Sequence, residues 1–444
     1  MEFGPSLASV QKDMNLIEIK KVVLVTIKNT TDELYYYKLS ELKSLCEACN
    51  YEIVESVYQN LDRPNTRTYV GSGKIQEIKT ICEMNEIDTI VFGNELSPVQ
   101  IKNIEEILDG VDVIDRTMLI LQIFSKRATS KIGKLQVEIA EAKYMLPRLI
   151  GKRSYMSRIT SGAAGTYASR GSGETQLELD KRHLKNKITQ LSKELEYCKL
   201  QRQTTRKLRN QNDSKSIAFV GYTNAGKSST INSLLSLYGV DKKELFVKDM
   251  LFATLETQTR LIKLPNNHEF LITDTVGFVS DLPHHLIESF KSTLEEILDA
   301  QAIIHIVDAS SPFKDLQIKT TLEVLDSLGV KDIPILTVFN KCDLVKNDYF
   351  LSGYEDIFKI SAKFKEGLRV IVNKLDEIVY GNCFIDTFLF PYQDSKYVNL
   401  LKTSAEVYDL TFTDEGTVIK AKVSEALHNK LEKYICKEKD SKLD

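Results

Sequence analysis

Hydrophobic and polar positions follow two different periods along the first part of the chain. Short apolar runs such as KVVLVTI and DTIVF are typical of buried strands, and stretches such as KLSELKSLCEAC between them have apolar positions at helical spacing. Ser97 followed by Pro98 is typical of a helix start. The order β-α-β-α-β-α-β predicts a small, mostly parallel α/β domain at residues 15–125. Residues 1–14 are expected to be disordered or foreign to the natural chain.

Two long helical patterns follow, in residues 126–212. In each, apolar side chains step by four, three, four and three residues, which is the spacing of helices that pack side by side. The two series are Leu135, Ile139, Ala142, Leu146 and Leu149, and Leu184, Ile188, Leu191, Leu195 and Cys198. They predict a long antiparallel helical hairpin with a connecting loop at residues 151–172. Pro147 is expected to kink or end the first helix.

Strand and helix patterns alternate again after a polar linker at residues 210–214. They predict a second α/β domain at residues 213–380. The strand patterns FLFPY, AEVYDLTF and GTVIKAKV and the helical SEALHNKLEKYI predict a small α+β C-terminal domain at residues 381–444. The expected fold class is therefore α/β multidomain.

Charge is distributed unevenly along the chain. Residues 126–210 contain 20 Lys and Arg against 7 Asp and Glu, a net charge of +13, so the rest of the chain carries −16 of the total of −3. Cations suit phosphates, and aromatic rings stack on unpaired bases. The hairpin loop offers both and has no acidic residue, so we expect it to bind RNA; the alternative is a plain flexible loop. The candidate RNA-binding residues are Lys152, Arg153, Tyr155, Arg158, Tyr167 and Arg170.

Composition narrows the class of protein further. No apolar run reaches membrane-spanning length, and the N-terminus lacks the pattern of a secretion signal. The seven Cys are scattered and odd in number, which does not fit a disulfide framework. These features favour a soluble protein of a reducing compartment.

A phosphate-binding motif begins directly after the apolar strand SIAFV. It is followed by the helical pattern STINSLL, which is the strand–loop–helix context of a P-loop. Its backbone N–H groups can surround a phosphate chain, Lys227 can reach the β- and γ-phosphates, and Ser228 can bind Mg²⁺. The motif consists of Gly221, Tyr222, Thr223, Asn224, Ala225, Gly226, Lys227 and Ser228. Asn224 could also help to hold K⁺, but we favour the alternative that it only shapes the loop.

Two later motifs predict which base is bound. The strand PILTVFN leads into Asn340, Lys341, Cys342 and Asp343, and the strand IFKIS leads into Ser361, Ala362 and Lys363. The Asp343 carboxylate can accept from guanine N1–H and the exocyclic amine together, whereas adenine has no donor at N1. Lys341 can lie along the base plane, and Asn340 can tie this loop to the P-loop. The backbone N–H groups of residues 361–363 could meet guanine O6. The ordered set predicts a GTP-binding P-loop domain.

The sensors of the γ-phosphate are expected between these motifs. The strand EFLITD would deliver Asp274 to the metal and, after Thr275 and Val276, the Gly277 N–H to the γ-phosphate. Upstream, LFATLETQTR offers several threonines that could close over Mg²⁺, and spacing alone does not choose among Thr254, Thr257 and Thr259. Phe278 stands where many GTPases have a Gln that orients the attacking water, so we expect slow intrinsic hydrolysis that needs help.

The motifs together resemble the HflX family of P-loop GTPases, and the resemblance covers nearly the whole chain. It is carried by NTRTYVGSGK, NELSPVQIKNIEE, DRTMLILQIF, GKLQVEIAEAKYMLPRL, GSGETQLELDKR, GYTNAGKS, LFATLETQTR and DTVGFVSDLP. It implies binding of GTP and GDP with Mg²⁺ and a slow GTPase that ribosomes stimulate. It also implies contacts with RNA of the large ribosomal subunit and splitting of stalled ribosomes, notably under heat stress. Members are cytoplasmic and sometimes associate peripherally with membranes; we expect a monomer without a membrane span.

The resemblance also assigns residues. The family's motif makes Thr254 the switch threonine, so the Mg²⁺ ligands would be Ser228 and Thr254, and the catalytic residues Lys227, Thr254 and Gly277. The segment that contacts GTP would include Phe252, Ala253, Thr254, Leu255 and Glu256. The family commonly has Asp-Pro where this chain has Glu256 and Thr257, which could loosen the loop. The rival functions are a GTP-timed ribosome-assembly module and an RNA-remodelling module.

Overall fold

In the computed structural model the chain forms two compact units, Met1–Tyr197 and Cys198–Asp444. The described residues are 19–29, 33–149, 176–210, 215–240, 251–252, 257–281, 283, 286, 296–345, 357–381 and 383–436. The predicted segment 1–14 and the hairpin loop at 151–172 lie outside them.

The first unit begins with the predicted parallel α/β domain. Its strands are β1 (Lys20–Lys28), β2 (Tyr51–Asn60), β3 (Thr89–Phe92) and β4 (Asp112–Asp115), in the order β2-β1-β3-β4. The connecting helices are α1 (Tyr35–Ala48), α2 (Ser72–Met84) and α3 (Pro98–Leu108). Every residue of the central strand β3 is buried, as expected for a parallel sheet covered on both faces.

The start of α3 confirms the predicted N-cap. Ser97 Oγ accepts a hydrogen bond from the Gln100 N–H at 3.2 Å, and the Gln100 side chain accepts one from the Ser97 N–H at 2.9 Å. This reciprocal capping box satisfies two backbone donors that the first helical turn leaves open.

Helices α4 (Arg116–Arg127) and α5 (Lys131–Met145) lie in the first unit, as does α6 (Gln176–Asn210) as far as Tyr197. Lys131 lies 2.7 Å from Glu194, and Glu138 lies 3.8 Å from Lys187, so α5 and α6 run antiparallel as predicted. One 3₁₀ turn, Leu146–Arg148, replaces the α-helix at Pro147, which agrees with the predicted helix end.

The second unit contains a six-stranded sheet in the order β10-β9-β8-β5-β7-β6. The strands are β5 (Lys215–Gly221), β6 (Gln258–Lys263), β7 (Glu269–Asp274), β8 (Ala302–Asp308), β9 (Ile335–Asn340) and β10 (Phe358–Lys359). All neighbouring pairs are parallel except β6 with β7. Helices α7 (Lys227–Tyr238), α8 (Lys314–Leu328) and α9 (Leu368–Tyr380) pack with this sheet. The carboxyl ends of β5, β7, β8 and β9 therefore meet at one edge, where open parallel sheets place their ligands.

The C-terminal part is α+β, as predicted. Strands β11 (Cys383–Phe390), β12 (Glu406–Thr413) and β13 (Gly416–Ser424) form an antiparallel sheet in the order β11-β13-β12. Helices α10 (Ser395–Ser404) and α11 (Glu425–Leu431) cover one face around Phe388, Phe390 and Ile419. Among the residues placed by the structure, no helix is both long enough and apolar enough to cross a membrane.

Candidate active site

The predicted P-loop connects the end of β5 to the start of α7. Its second glycine, Gly226, has a φ of 92°, and a Cβ there would lie 2.2 Å from Nδ2 of Asn340. No other residue type fits this close approach without displacing Asn340. Lys227 then begins α7, so the loop places the helix N-terminus beside the predicted phosphate site.

A single buried amide joins three loops of the site. Asn340 Nδ2 donates to the Ala225 carbonyl at 3.0 Å, and Asn340 Oδ1 accepts from the Ala362 N–H at 3.0 Å. Ser233 of α7 donates to the Ala362 carbonyl at 2.6 Å. The structure thus brings the predicted base-binding residues against the phosphate-binding loop.

The predicted base-binding side chains are held by neighbours. Ser361 Oγ donates to a carboxylate oxygen of Asp343 at 2.6 Å, and Lys341 Nζ lies 2.7 Å from Asp308 Oδ2. The remaining residues of this group are placed as follows: the Cys342 N–H donates to the Ile360 carbonyl at 3.1 Å, and Lys363 Nζ lies 5.3 Å from the ring centre of Phe364. A carboxylate held in this way can accept from two adjacent donors of a planar base.

The predicted phosphate and metal residues of the P-loop, Lys227 and Ser228, directly follow Gly226. Lys227 Nζ donates to the carbonyls of Gly221 and Tyr222, at 3.0 and 2.9 Å. Burial lowers the pKa of Lys227 to about 8, and the charge of Asp274 opposes that shift. Ser228 Oγ donates to Asp274 Oδ2 at 2.5 Å. This pair of hard oxygen donors fits Mg²⁺.

The segment after β7 is fixed against the P-loop. The Thr275 hydroxyl donates to the Phe219 carbonyl at 2.6 Å, and Val276 is buried. A Cβ added to Gly277 would lie 2.7 Å from Thr223 Cγ2 and 2.9 Å from Lys227 Nζ. Gly277 is therefore required at this contact, and its backbone borders the lysine that is predicted to reach the γ-phosphate.

The candidate switch threonines are placed differently. Thr259 lies within β6, and its hydroxyl is 3.1 Å from that of Thr273 in β7. The Thr257 hydroxyl is buried and has no hydrogen-bond partner among the described residues. Phe252 is buried with a φ of 53°. The other residues predicted here, Ala253, Thr254, Leu255 and Glu256, lie outside the described residues, as do the six candidate RNA-binding residues of the hairpin loop.

Sequence reasoning missed three features of the site. Phe278 directs its ring into an apolar cluster that includes Val220 and Ile303. Tyr222 makes a buried hydroxyl pair with Ser280. His305 is a buried histidine in β8, and its burial and the Lys227 charge together lower its pKa to about 4. Only the last had a signal in the sequence, a lone His within the apolar run AIIHIV.

Comparison with known proteins gives consistent matches along the chain. The matching family models are described as GTP-binding GTPase N-terminal (residues 36–125), GTP-binding GTPase Middle Region (127–209) and 50S ribosome-binding GTPase (216–341). A GTPase HflX of Caldanaerobacter subterraneus is 39% identical over 416 residues, 94% of this chain and 94% of the relative. A GTPase HflX of Lacrimispora saccharolytica is 39% identical over 418 residues, 93% of this chain and 96% of the relative. A GTP-binding protein from Sulfolobus solfataricus, solved in complex with GDP, is 26% identical with a TM-score of 0.43; the match covers 81% of this chain and 99% of that one.

Proposed function

Because the chain belongs to the HflX family and is a GTPase, we propose that it binds the large ribosomal subunit and splits stalled or idle ribosomes under stress. The observation that carries the proposal is the coexistence of a GTPase domain, described by its family model as 50S ribosome-binding, with a helical hairpin region of net charge +13. Polyanions such as ribosomal RNA attract a basic element of this kind.

We propose that GTP lies along the edge formed by the carboxyl ends of β5, β7, β8 and β9. Lys227 would neutralise charge on the β- and γ-phosphates, and the Gly277 N–H would bind a γ-phosphate oxygen. Asp343, oriented by Ser361, would select guanine. The other proposed contacts are the backbone N–H groups of residues 221–226 and residues 228, 252–256, 274–276, 340–342 and 361–363.

Ser228 and Thr254 would hold Mg²⁺, with Asp274 beside them. The 2.5 Å separation between Ser228 Oγ and Asp274 Oδ2 supports this assignment, because both groups present oxygen at one point. When bound, Mg²⁺ supplies positive charge that offsets negative charge developing on the phosphates. The chain itself supplies the hydroxyl and carboxylate oxygens and the buried lysine that frame that position.

The hairpin loop is the proposed working tip, which is the part of the chain that contacts ribosomal RNA. Its proposed RNA contacts are Lys152, Arg153, Tyr155, Arg158, Tyr167 and Arg170. Docking of the GTP-bound form would displace contacts that join the two ribosomal subunits, and hydrolysis would release the factor. We further propose a monomer that works in the cytoplasm, where its ribosomal partner is found, with peripheral membrane association in some conditions.

Sucrose-gradient sedimentation of assembled ribosomes tests the proposal. With GTP, or with a non-hydrolysable analogue, the full chain should convert the assembled peak into separate subunits. A variant with Lys152, Arg153, Arg158 and Arg170 all changed to Gln should lose most of this effect. The matched control changes four exposed lysines elsewhere to Gln and should split normally: Lys319, Lys331, Lys402 and Lys430.

Three results would contradict parts of the proposal. Equal splitting by the loop variant and the wild type would exclude the loop as the working tip. Binding to immature particles without any separation of assembled ribosomes would favour a GTP-timed assembly module instead. Remodelling of RNA in the absence of particles would favour the RNA-remodelling alternative.

A further inference from the structure

Residue 278, at the position where many GTPases have a water-orienting Gln, cannot orient water in this chain. Phe278 is 2% exposed, and its ring packs with Val220 and Ile303. Its backbone is fixed on both sides, because the Phe278 N–H donates to the Gly221 carbonyl at 3.2 Å and its carbonyl accepts from the Thr223 N–H at 2.8 Å. A side chain at position 278 therefore points into the core below the sheet, away from the phosphate-binding loop.

The same two backbone bonds bring Thr223 beside Gly277. A methyl group on Gly277 would lie 2.7 Å from Thr223 Cγ2 and 2.8 Å from Thr223 Cα. It would also lie 2.9 Å from Lys227 Nζ. Thr223 and Lys227 thus flank the glycine whose N–H is proposed to bind the γ-phosphate, so the Thr223 side chain stands at the reacting end of the site.

The hydroxyl of Thr223 has no hydrogen-bond partner in the part of the chain that the structure describes. The residue is only 6% exposed, and Oγ1 is buried without a hydrogen-bond partner among the residues that the structure describes. Buried hydroxyls are normally hydrogen-bonded, because leaving one unpaired costs free energy. An unpaired hydroxyl at this point is one that a reacting molecule can satisfy.

We propose that the Thr223 hydroxyl hydrogen-bonds the attacking water and supplies the orientation that Gln supplies in other GTPases. This inference rests on the proposed GTP site. The water oxygen bonds to the γ-phosphorus, and the bond from that phosphorus to the β–γ bridging oxygen breaks. The electron pair leaves with GDP, and the water's protons remain with the inorganic phosphate and solvent. Because phosphoryl transfer depends mainly on positioning, a neutral hydroxyl is sufficient for this role and no strong base is required.

Single-turnover hydrolysis without ribosomes tests the hydroxyl directly. Thr223→Val keeps the shape and removes the hydroxyl, whereas Thr223→Ser keeps the hydroxyl. We expect Thr223→Val to lower the rate constant by about ten-fold, the order expected for one hydrogen bond to a reacting atom. Thr223→Ser should stay within about three-fold of the wild type by the same arithmetic. As the control, Thr321→Val removes another buried hydroxyl, in α8, and should leave the rate constant of hydrolysis unchanged.

Binding measurements separate this role from nucleotide binding. The affinity of Thr223→Val for GDP and for a non-hydrolysable GTP analogue should match the wild type, while its affinity for GDP with aluminium fluoride, which mimics the transition state, should fall. Wild-type hydrolysis by Thr223→Val would overturn the inference, and so would a loss of GTP-analogue affinity as large as the loss of rate. A different measurement tests the proposed GTP site itself. If that site is wrong, Lys227→Ala should still bind nucleotide with wild-type affinity.

Discussion

The hydroxyl groups of Tyr222 and Ser280 lie 2.6 Å apart, and both side chains are buried. The Ser280 N–H also donates to the Tyr222 hydroxyl, at 2.6 Å. Tyr222 belongs to the P-loop, and Ser280 comes three residues after Gly277. The pair therefore connects the phosphate-binding loop to the segment that is proposed to sense the γ-phosphate.

Removal of the Tyr222 hydroxyl should weaken this connection. Tyr222→Phe leaves Ser280 with a missing partner, so we expect the free energy of unfolding to fall by about 1–2 kcal/mol. The chain has no Trp, so urea denaturation followed by circular dichroism is the suitable measurement. Tyr392→Phe is the matched control, because the Tyr392 hydroxyl bonds one carbonyl on the C-terminal surface. Equal free energies of unfolding of the Tyr222 variant and the wild type would mean that the hydroxyl pair does not stabilise the protein.

Phe278→Gln should not create a faster enzyme. The amide would enter an apolar cluster rather than the site, so we expect a loss of stability of about 3 kcal/mol or more and no gain in hydrolysis. Phe278→Leu keeps the position apolar and should cost only about 1 kcal/mol. Both variants should bind GDP at temperatures where they are folded. Strongly raised turnover of Phe278→Gln on ribosomes would mean that the missing Gln limits the rate.

The sequence was sufficient for the elements and for the order of the motifs, because both depend on local patterns. The strands, the Ser97 cap and the antiparallel hairpin were all predicted. Most tertiary contacts were not, because they join residues that only the fold brings together. Tyr222 and Ser280, for example, are 58 positions apart. The contact between Asn340 and Ala225, 115 positions apart, was predicted, because it follows from the motifs and not from a local pattern. The direction of the Phe278 ring could not be predicted either, because Phe278 lies in a loop, where no helical or strand periodicity indicates which side chains are buried.

Asp343 should determine the choice of base. In Asp343→Asn an amide NH₂ group, which is a donor, replaces one carboxylate oxygen. Guanine then loses one of the two acceptors for its N1–H and its exocyclic amine. Xanthine has a carbonyl at position 2 instead of the amine, and this carbonyl gains a donor. We expect GTP affinity to fall by about 100-fold, as at other sites that leave buried polar groups unpaired. Competition against a fluorescent guanine nucleotide measures the change, with xanthosine triphosphate as the second competitor. Unchanged preference for GTP would exclude Asp343 from base recognition.

Hydrolysis should proceed equally in K⁺ and in Na⁺. Asn224 is exposed and has a φ of 59°, a left-handed conformation that Asn adopts more readily than most residues. This geometry accounts for Asn at that position without a bound cation. Rates measured in KCl and NaCl at one ionic strength should agree, and Asn224→Gly should keep the loop conformation and the rate. Stimulation by K⁺ that disappears in Asn224→Gly would instead make Asn224 part of a cation site.

The buried imidazole of His305 should make the stability of the GTPase domain depend on pH. Burial and the Lys227 charge lower the pKa of His305 to about 4, so between that value and its ordinary 6.5 the unfolded chain binds a proton that the folded protein does not. The free energy of unfolding should therefore fall as the pH decreases through this window. The loss should reach about 3 kcal/mol at its lower end.

His305→Gln isolates this contribution, because it removes the titrating group and leaves all other titrations in place. The difference in unfolding free energy between wild type and variant should be constant above pH 7 and should change steadily from pH 6.5 to 4. Urea denaturation by circular dichroism at half-unit intervals measures it. A difference that stays constant over the whole range would mean that His305 is protonated equally in the folded and unfolded states, and that neither burial nor Lys227 controls its charge.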